Sequence, residues 1–195
     1  DNIWNCSIYG HCATGLKDLT INVPGMVRSG DTVTLSCYYD LEGQTLYTIQ
    51  WFLEDIEFYR YVPERDPPYT TFNVEGIHVS KSNTHDVTLF DVSRKLTGKY
   101  KCEVSAGYPS FHTLIERARM EVVDAPKTDP AIGNEKDRIA VGELLRANCT
   151  TGNSRPASAI TWKLNGDLVS ISLYPSFPLY LSPHPNALRF LAAAT

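Results

Sequence analysis

The sequence of 195 residues contains no apolar run of about 18 residues, the length that a membrane-spanning helix needs. It has no basic excess, since 18 Lys and Arg face 22 Asp and Glu for a formal net charge of -4. No segment keeps a helical period, and neither a Gly-x-Ser-x-Gly elbow nor a phosphate-binding glycine loop occurs. These absences argue against a membrane span, a nucleic-acid partner, a helical bundle and the common hydrolase and nucleotide-binding classes.

The five histidines do not change this expectation. His85 and Asp86 lie near Ser82, but residues that are close in sequence on a strand do not form a hydrolytic triad. We therefore expect a protein that is not an enzyme and that uses no cofactor, metal or small-molecule substrate.

Short segments of alternating apolar and polar residues are present instead. Two of them are 33–37 and 47–53, each with apolar residues at every second position. Further strand candidates are 57–62, 76–79, 87–92, 99–105 and 117–123. Repeated short strands separated by turn residues predict an all-β sandwich.

Four residues at fixed spacing make this sandwich immunoglobulin-like. Cys37, Trp51, Tyr100 and Cys102 follow the Cys, Trp, Tyr-x-Cys order of such domains. The pattern predicts a disulfide between the facing sheets, Trp51 packed against it, and Tyr100 as the tyrosine corner. The separation of 65 residues between the cysteines leaves room for the extra strands of a variable-type domain. A disulfide also places the protein outside the reducing cytosol.

A second domain is predicted after a proline-containing linker. Residues 141–149 repeat the earlier Gly-acid-to-Cys pattern, and Trp162 follows Cys149 as a second core tryptophan. The sequence therefore predicts a variable-type domain over 16–124 and a second immunoglobulin-like domain over 125–195, with 1–15 as an uncertain segment. No later Tyr-x-Cys occurs, so Cys149 is expected to be unpaired.

The stretch after about residue 168 departs from the domain pattern, because four prolines between 175 and 185 oppose central strands. We expect a truncated or mis-spliced ending, and the alternative is a genuine divergent one.

The remaining predicted sites are cysteines that could pair and asparagines that could be glycosylated. Cys6 and Cys12 are candidates for a small local disulfide, and the alternative is an incorrectly assigned N-terminus. Together with His11 they lack the further ligands that zinc sites need. Asn5 and Asn148 each begin an Asn-x-Ser/Thr sequon, and Asn148 is the better candidate because an inward Cys149 turns it toward solvent.

Several segments resemble one family more closely than the fold requires. They are Tyr-Tyr-Asp-Leu-Glu-Gly-Gln-Thr-Leu-Tyr at 38–47, Glu-Phe-Tyr-Arg-Tyr-Val-Pro at 57–63, Cys-Glu-Val-Ser-Ala at 102–106, Pro-Ser-Phe-His-Thr at 109–113 and Asn-Cys-Thr at 148–150. Over about residues 16–168 the chain resembles the Beaten path family, arthropod neuronal proteins with two immunoglobulin domains that are secreted or tethered to cells. The resemblance implies an extracellular protein that recognises Sidestep-type immunoglobulin receptors in axon guidance and regulated adhesion. The alternative is homophilic adhesion, or an immune-type receptor with another ligand.

Strand parity predicts a partner-binding face. Because Trp51 and Cys102 point inward, the intervening side chains should point outward. The residues in question are Gln50 and Phe52 on one strand and Lys101, Glu103 and Ser105 on the other. Phe52 is either an interface anchor or an aromatic covered by the next strand or a loop.

Tyr59 and Tyr61 are expected to extend this face. If the parity of their strand is shifted by one residue, Phe58 and Arg60 take their place.

The loop 107–112 is the last predicted contact region. Tyr108, Phe111 and His112 stand where antibody-like domains present contact residues. The alternative is that this loop packs on itself.

Overall fold

The computed structural model describes residues 15–134, 147–164, 167–168 and 190–194. These residues form β-strands and one short 3₁₀ helix, so the predicted all-β fold is confirmed. The chain divides into two compact units, and the boundary falls between Val123 and Asp124. The candidate disulfide of Cys6 and Cys12 and the candidate glycosylation site Asn5 lie outside the described residues.

The first unit is a sandwich of two sheets. The four-stranded sheet has the order β1 (Lys17–Asn22), β3 (Val33–Asp40), β8 (Asp86–Leu89) and β7 (Val79–Ser82). The six-stranded sheet has the order β2 (Met26–Arg28), β10 (Thr113–Val123), β9 (Gly98–Ala106), β4 (Leu46–Leu53), β5 (Ile56–Tyr61) and β6 (Tyr69–Thr71). In immunoglobulin lettering these are A, B, E, D and A′, G, F, C, C′, C″, the strand set of a variable-type domain.

The alternation of side chains along β9 illustrates how the sequence builds the sandwich. Tyr100, Cys102 and Val104 are fully buried, while the residues between them are partly exposed. A strand places successive side chains on opposite faces, so one row enters the core and the other faces solvent. β9 lies between β4 and β10 with its outer row open.

The predicted disulfide is confirmed at the centre of this core. Cys37 on β3 and Cys102 on β9 are bonded, with their Cα atoms 6.5 Å apart, and both are fully buried. Trp51 is buried in the same cluster. The Tyr100 hydroxyl donates a hydrogen bond to the Leu96 carbonyl at 2.8 Å, which is the tyrosine-corner arrangement. Leu96 ends the 3₁₀ helix Arg94–Leu96 that leads into β9.

The second unit contains two small sheets within its described residues. β11 (Ala131–Asn134) pairs with β12 (Ala147–Thr150), and β13 (Ile160–Leu164) lies between β14 (Asp167–Leu168) and β15 (Phe190–Ala194). Trp162 lies on β13 and is half-buried. β15 pairs with β13 although it belongs to the proline-containing tail. The prolines precede this strand and do not interrupt it.

Candidate binding surface

The six-stranded sheet has an outer face that points away from the disulfide. Its members are Gln50 and Phe52 from β4, Glu57 and Arg60 from β5, Lys99, Lys101, Glu103 and Ser105 from β9, and Thr113, Ile115, Arg117 and Arg119 from β10. The strand registers place these residues in cross-strand rows, for example Gln50 opposite Glu103 and Glu103 opposite Ile115. The five residues predicted from the parity of β4 and β9 all lie on this face and are partly exposed.

Phe52 is half-buried because a neighbouring cation covers it. The Lys101 Nζ atom lies 3.9 Å from the Phe52 ring centroid, within cation–π range. The same ammonium group is 3.3 Å from Asp55 Oδ1, in the turn between β4 and β5. Lys101 keeps only 15% of its side chain exposed. Phe52 is therefore covered by Lys101 from β9, and it supports a charged surface.

Glu57 joins polar groups from two neighbouring strands, β4 and β5, on the same face. Arg60 donates from Nε and Nη2 to the two Glu57 carboxylate oxygens, each at 2.7 Å, and Gln50 Nε2 donates to Oε1 at 3.0 Å. Burial disfavours the charged form, but the hydrogen bonds from Arg60 and Gln50 outweigh it and hold the pKa of Glu57 below its usual value. The Arg60 guanidinium also lies 5.6 Å from the centroid of Phe72. The pair is thus fixed in one geometry before any partner arrives.

The prediction that Tyr59 belongs to this face is wrong, and the reason is a register shift. Tyr59 pairs with Trp51, so it shares the inward face, and it is 1% exposed. Tyr61 lies on the same inward row and packs against the core. The shifted parity is correct for Arg60 but not for Phe58, which is fully buried against Tyr100.

A β-bulge explains why neither parity applies. Trp51 pairs with Tyr59 and the next residue, Phe52, pairs with Glu57. The shift leaves Phe58 without an opposite residue, so both Phe58 and Tyr59 enter the core.

The loop between β9 and β10 presents exposed aromatic side chains. Tyr108 is 79% exposed and Phe111 is 62% exposed, and His112 is exposed as well. The Tyr108 and Phe111 rings meet edge to face with centroids 6.3 Å apart. The loop does pack partly on itself, yet it leaves both rings in contact with solvent.

Contacts with the preceding loop hold this aromatic pair in place. The Gly107 amide donates to the Thr45 carbonyl at 2.8 Å, and the Ser110 hydroxyl donates to Gln44 Oε1 at 2.6 Å. The Phe111 amide returns to the Gly107 carbonyl at 3.1 Å. Gly107 fits closely here, since a Cβ at this position would lie 2.4 Å from Thr45 Oγ1 and one of the two would have to shift. The loop therefore has a defined conformation without a ligand.

Alternation in the sequence did not identify the residues that β10 adds to the outer face. Ile115 is 42% exposed beside Glu103, and Arg117 and Arg119 are exposed further along the strand. The strand begins at Thr113, four residues before the predicted segment. The alternation of Thr113, Ile115 and Arg117 is the signal that could have located them.

The second unit holds the remaining predicted sites. Cys149 on β12 is a free cysteine and is half-buried. Asn148 precedes it and is exposed, in the orientation expected for an acceptor of glycosylation. Among the described residues no group of three or more His, Cys, Asp or Glu could hold a metal ion. Within the same residues, no helix is long and apolar enough to cross a membrane.

Comparison with known proteins identifies the fold. Neither a family model nor a curated protein matches the chain. The structure is similar to murine CEACAM1b, with a TM-score of 0.62 and 17% identity over 91% of this chain and 84% of that one. The amphioxus IgVJ-C2 molecule has a TM-score of 0.48 and 18% identity over 87% of this chain and 85% of that one. The likeness to CEACAM1b and the disulfide establish an immunoglobulin-like fold, consistent with an extracellular domain.

Proposed function

We propose that this chain is an extracellular recognition protein that binds a Sidestep-type immunoglobulin receptor through its first domain. The proposed setting is axon guidance and regulated cell adhesion, and no catalysis is involved. The resemblance of residues 16–168 to the Beaten path family supports the partner and the setting. The disulfide-bonded variable-type domain supports an extracellular location.

The observation that carries a binding role is the exposed pair Tyr108 and Phe111 on an anchored loop. Large aromatic side chains supply much of the energy of protein contacts when a partner buries them. Here they are 79% and 62% exposed, while hydrogen bonds to Thr45 and Gln44 fix the loop. A loop that is already ordered loses less conformational entropy on binding. Tyr108 and Phe111 are therefore suited to be anchors.

The outer face next to this loop provides the polar part of the proposed interface. Ile115 and Glu103 lie opposite one another on neighbouring strands, and Gln50 lies on the other side of Glu103. Polar and charged groups around an apolar contact contribute specificity and association rate more than affinity. This arrangement supports recognition of one receptor among related immunoglobulin domains.

The test is a binding screen with the full chain against a panel of Sidestep-type receptor ectodomains by biolayer interferometry. Saturable binding to at least one ectodomain supports the proposal. Binding to none, together with self-association in analytical ultracentrifugation, would replace it with homophilic adhesion. Binding to none without self-association would leave an immune-type receptor with another ligand.

A further inference from the structure

Four basic side chains lie next to one another at one end of the outer face. β9 contributes Lys99 and Lys101, and β10 contributes Arg117 and Arg119. The register places Arg117 opposite Lys101 and Arg119 opposite Lys99. Opposite residues have Cβ atoms roughly 5 Å apart, and positions two apart on one strand are separated by about 7 Å. We call this group of four residues the basic square.

The basic square is only partly neutralised by its surroundings. Glu54 Oε1 accepts a hydrogen bond from the Lys99 amide at 2.7 Å, and Glu103 and Glu121 are the next residues of the same face on β9 and β10. Lys101 contacts Asp55 at 3.3 Å, and its ammonium group covers Phe52. Lys99, Arg117 and Arg119 form no side-chain ion pair with any residue that the structure describes. Like charges directly opposite one another destabilise a sheet. The four cations therefore repel one another across the two strands, and an anionic ligand would reduce this repulsion.

The concentration of positive charge is local and does not reflect the domain as a whole. Residues 16–124 contain 11 basic and 16 acidic side chains, so the domain is net acidic. Four of the 11 basic residues nevertheless share adjacent positions on two strands. The net negative charge of this domain would repel a polyanion, and the basic square would attract it locally.

We propose that the basic square binds a sulfated polysaccharide chain of the glycosaminoglycan type. Three of its four side chains are exposed on an open sheet, where a linear anion can lie along them. Attraction between several fixed cations and a dense line of anionic groups is strengthened by release of counterions.

An acidic protein surface fits the same charges less well. Two of the four residues are lysines, which are depleted in protein interfaces, and the nearest aromatic, Phe52, is covered by Lys101. The exposed aromatics lie instead on the loop at the other end of β9 and β10. The basic square thus lies at the end of the outer face away from the loop that carries Tyr108 and Phe111, and heparin binding is measured without the receptor.

The test measures binding of a heparin octasaccharide to the full chain by isothermal titration calorimetry in about 0.15 M salt. The triple variant K99Q/R117Q/R119Q should weaken binding by at least about tenfold and flatten the dependence of affinity on salt concentration. The matched control R65Q/K81Q/K127Q removes the same charge from exposed positions elsewhere and should change affinity by less than about threefold. Arg117→Lys with Arg119→Lys keeps the charges and should retain binding.

Fully desulfated heparin is the second probe, and it should bind much more weakly to the native chain. Thermal unfolding shows whether each variant is folded. If the triple variant is unfolded, the charge-retaining variant provides a second test. No heparin binding by the native chain, or equal losses in the triple variant and its control, would overturn the proposal. Loss of receptor binding in the triple variant without any heparin binding would assign the basic square to an acidic protein instead.

Discussion

Lys101 lies over the ring of Phe52, with its Nζ atom 3.9 Å from the ring centroid. The two residues are opposite one another on β9 and β4, and Asp55 holds the ammonium group from the adjoining turn. An aromatic residue that alternation exposes is therefore covered by the neighbouring strand. The contact makes Phe52 part of the support for the outer face.

We expect Phe52 and Lys101 to be energetically coupled. In a double-mutant cycle with Phe52→Ala and Lys101→Met, the coupling free energy should be about 0.5–1 kcal/mol, the size of a partly exposed cation–π contact. Methionine keeps the aliphatic cover of lysine and removes its charge. Urea unfolding of the four proteins measures the coupling, and a value indistinguishable from zero would mean that the contact does not stabilise the fold.

The burial of Tyr59 predicts a clear difference from its neighbour Arg60. Tyr59→Ala should reduce the free energy of unfolding by about 3 kcal/mol or more, because it leaves a large cavity beside Trp51. Arg60→Ala should cost less than about 1 kcal/mol, since it removes a partly exposed ion pair. Chemical denaturation of both variants checks the assignment. Equal costs would contradict the inward placement of Tyr59.

Gly107 and Thr45 should behave as a coupled pair. Gly107→Ala introduces a Cβ that would lie 2.4 Å from Thr45 Oγ1, so the loop must shift, at a cost of about 1–3 kcal/mol. Removing that oxygen with Thr45→Ala in the same chain should recover part of the stability. Thermal unfolding of both single variants and the double variant provides the measurement. If the double variant is as unstable as the sum of the single ones, the clash is not the cause.

Glu57 should make folding stability depend on pH in the acid range. Hydrogen bonds from Arg60 and Gln50 keep its folded pKa below the usual value, despite partial burial. A lowered folded pKa adds stability above the unfolded pKa of about 4.3, and this stability is lost as the pH falls through the folded pKa. The stability difference between the native chain and Glu57→Gln should thus be constant from pH 7 to about pH 5 and shrink below it. A difference that grows on acidification would contradict the sign.

Much of the first domain could be predicted from its sequence because a few residues impose strong constraints. Cys37, Trp51, Tyr100 and Cys102 occupy positions where only the inward row of a sandwich accommodates them, and alternation from them correctly assigns Gln50 and Glu103 to the outer face.

The parts that escaped prediction depend on pairing between strands. The bulge that turns both Phe58 and Tyr59 inward inserts one residue without a mark in the hydrophobic pattern. The basic square likewise depends on register: Lys99 and Arg119 are both visible in the sequence, but only the pairing of β9 with β10 places them opposite each other. The cation that covers Phe52 comes from the neighbouring strand for the same reason.

The most direct test of the account is the dissociation constant between the full chain and a Sidestep-type receptor ectodomain, measured for the native chain and two variants. Phe111→Ala should weaken binding by at least about tenfold, as expected for an aromatic anchor. Phe90→Ala removes an exposed aromatic, 43% exposed, that follows β8 of the opposite sheet, and it should leave the constant unchanged. Absence of binding by the native chain, or equal weakening by the two variants, would contradict the claim that this domain recognises the receptor through its outer face and the adjoining loop.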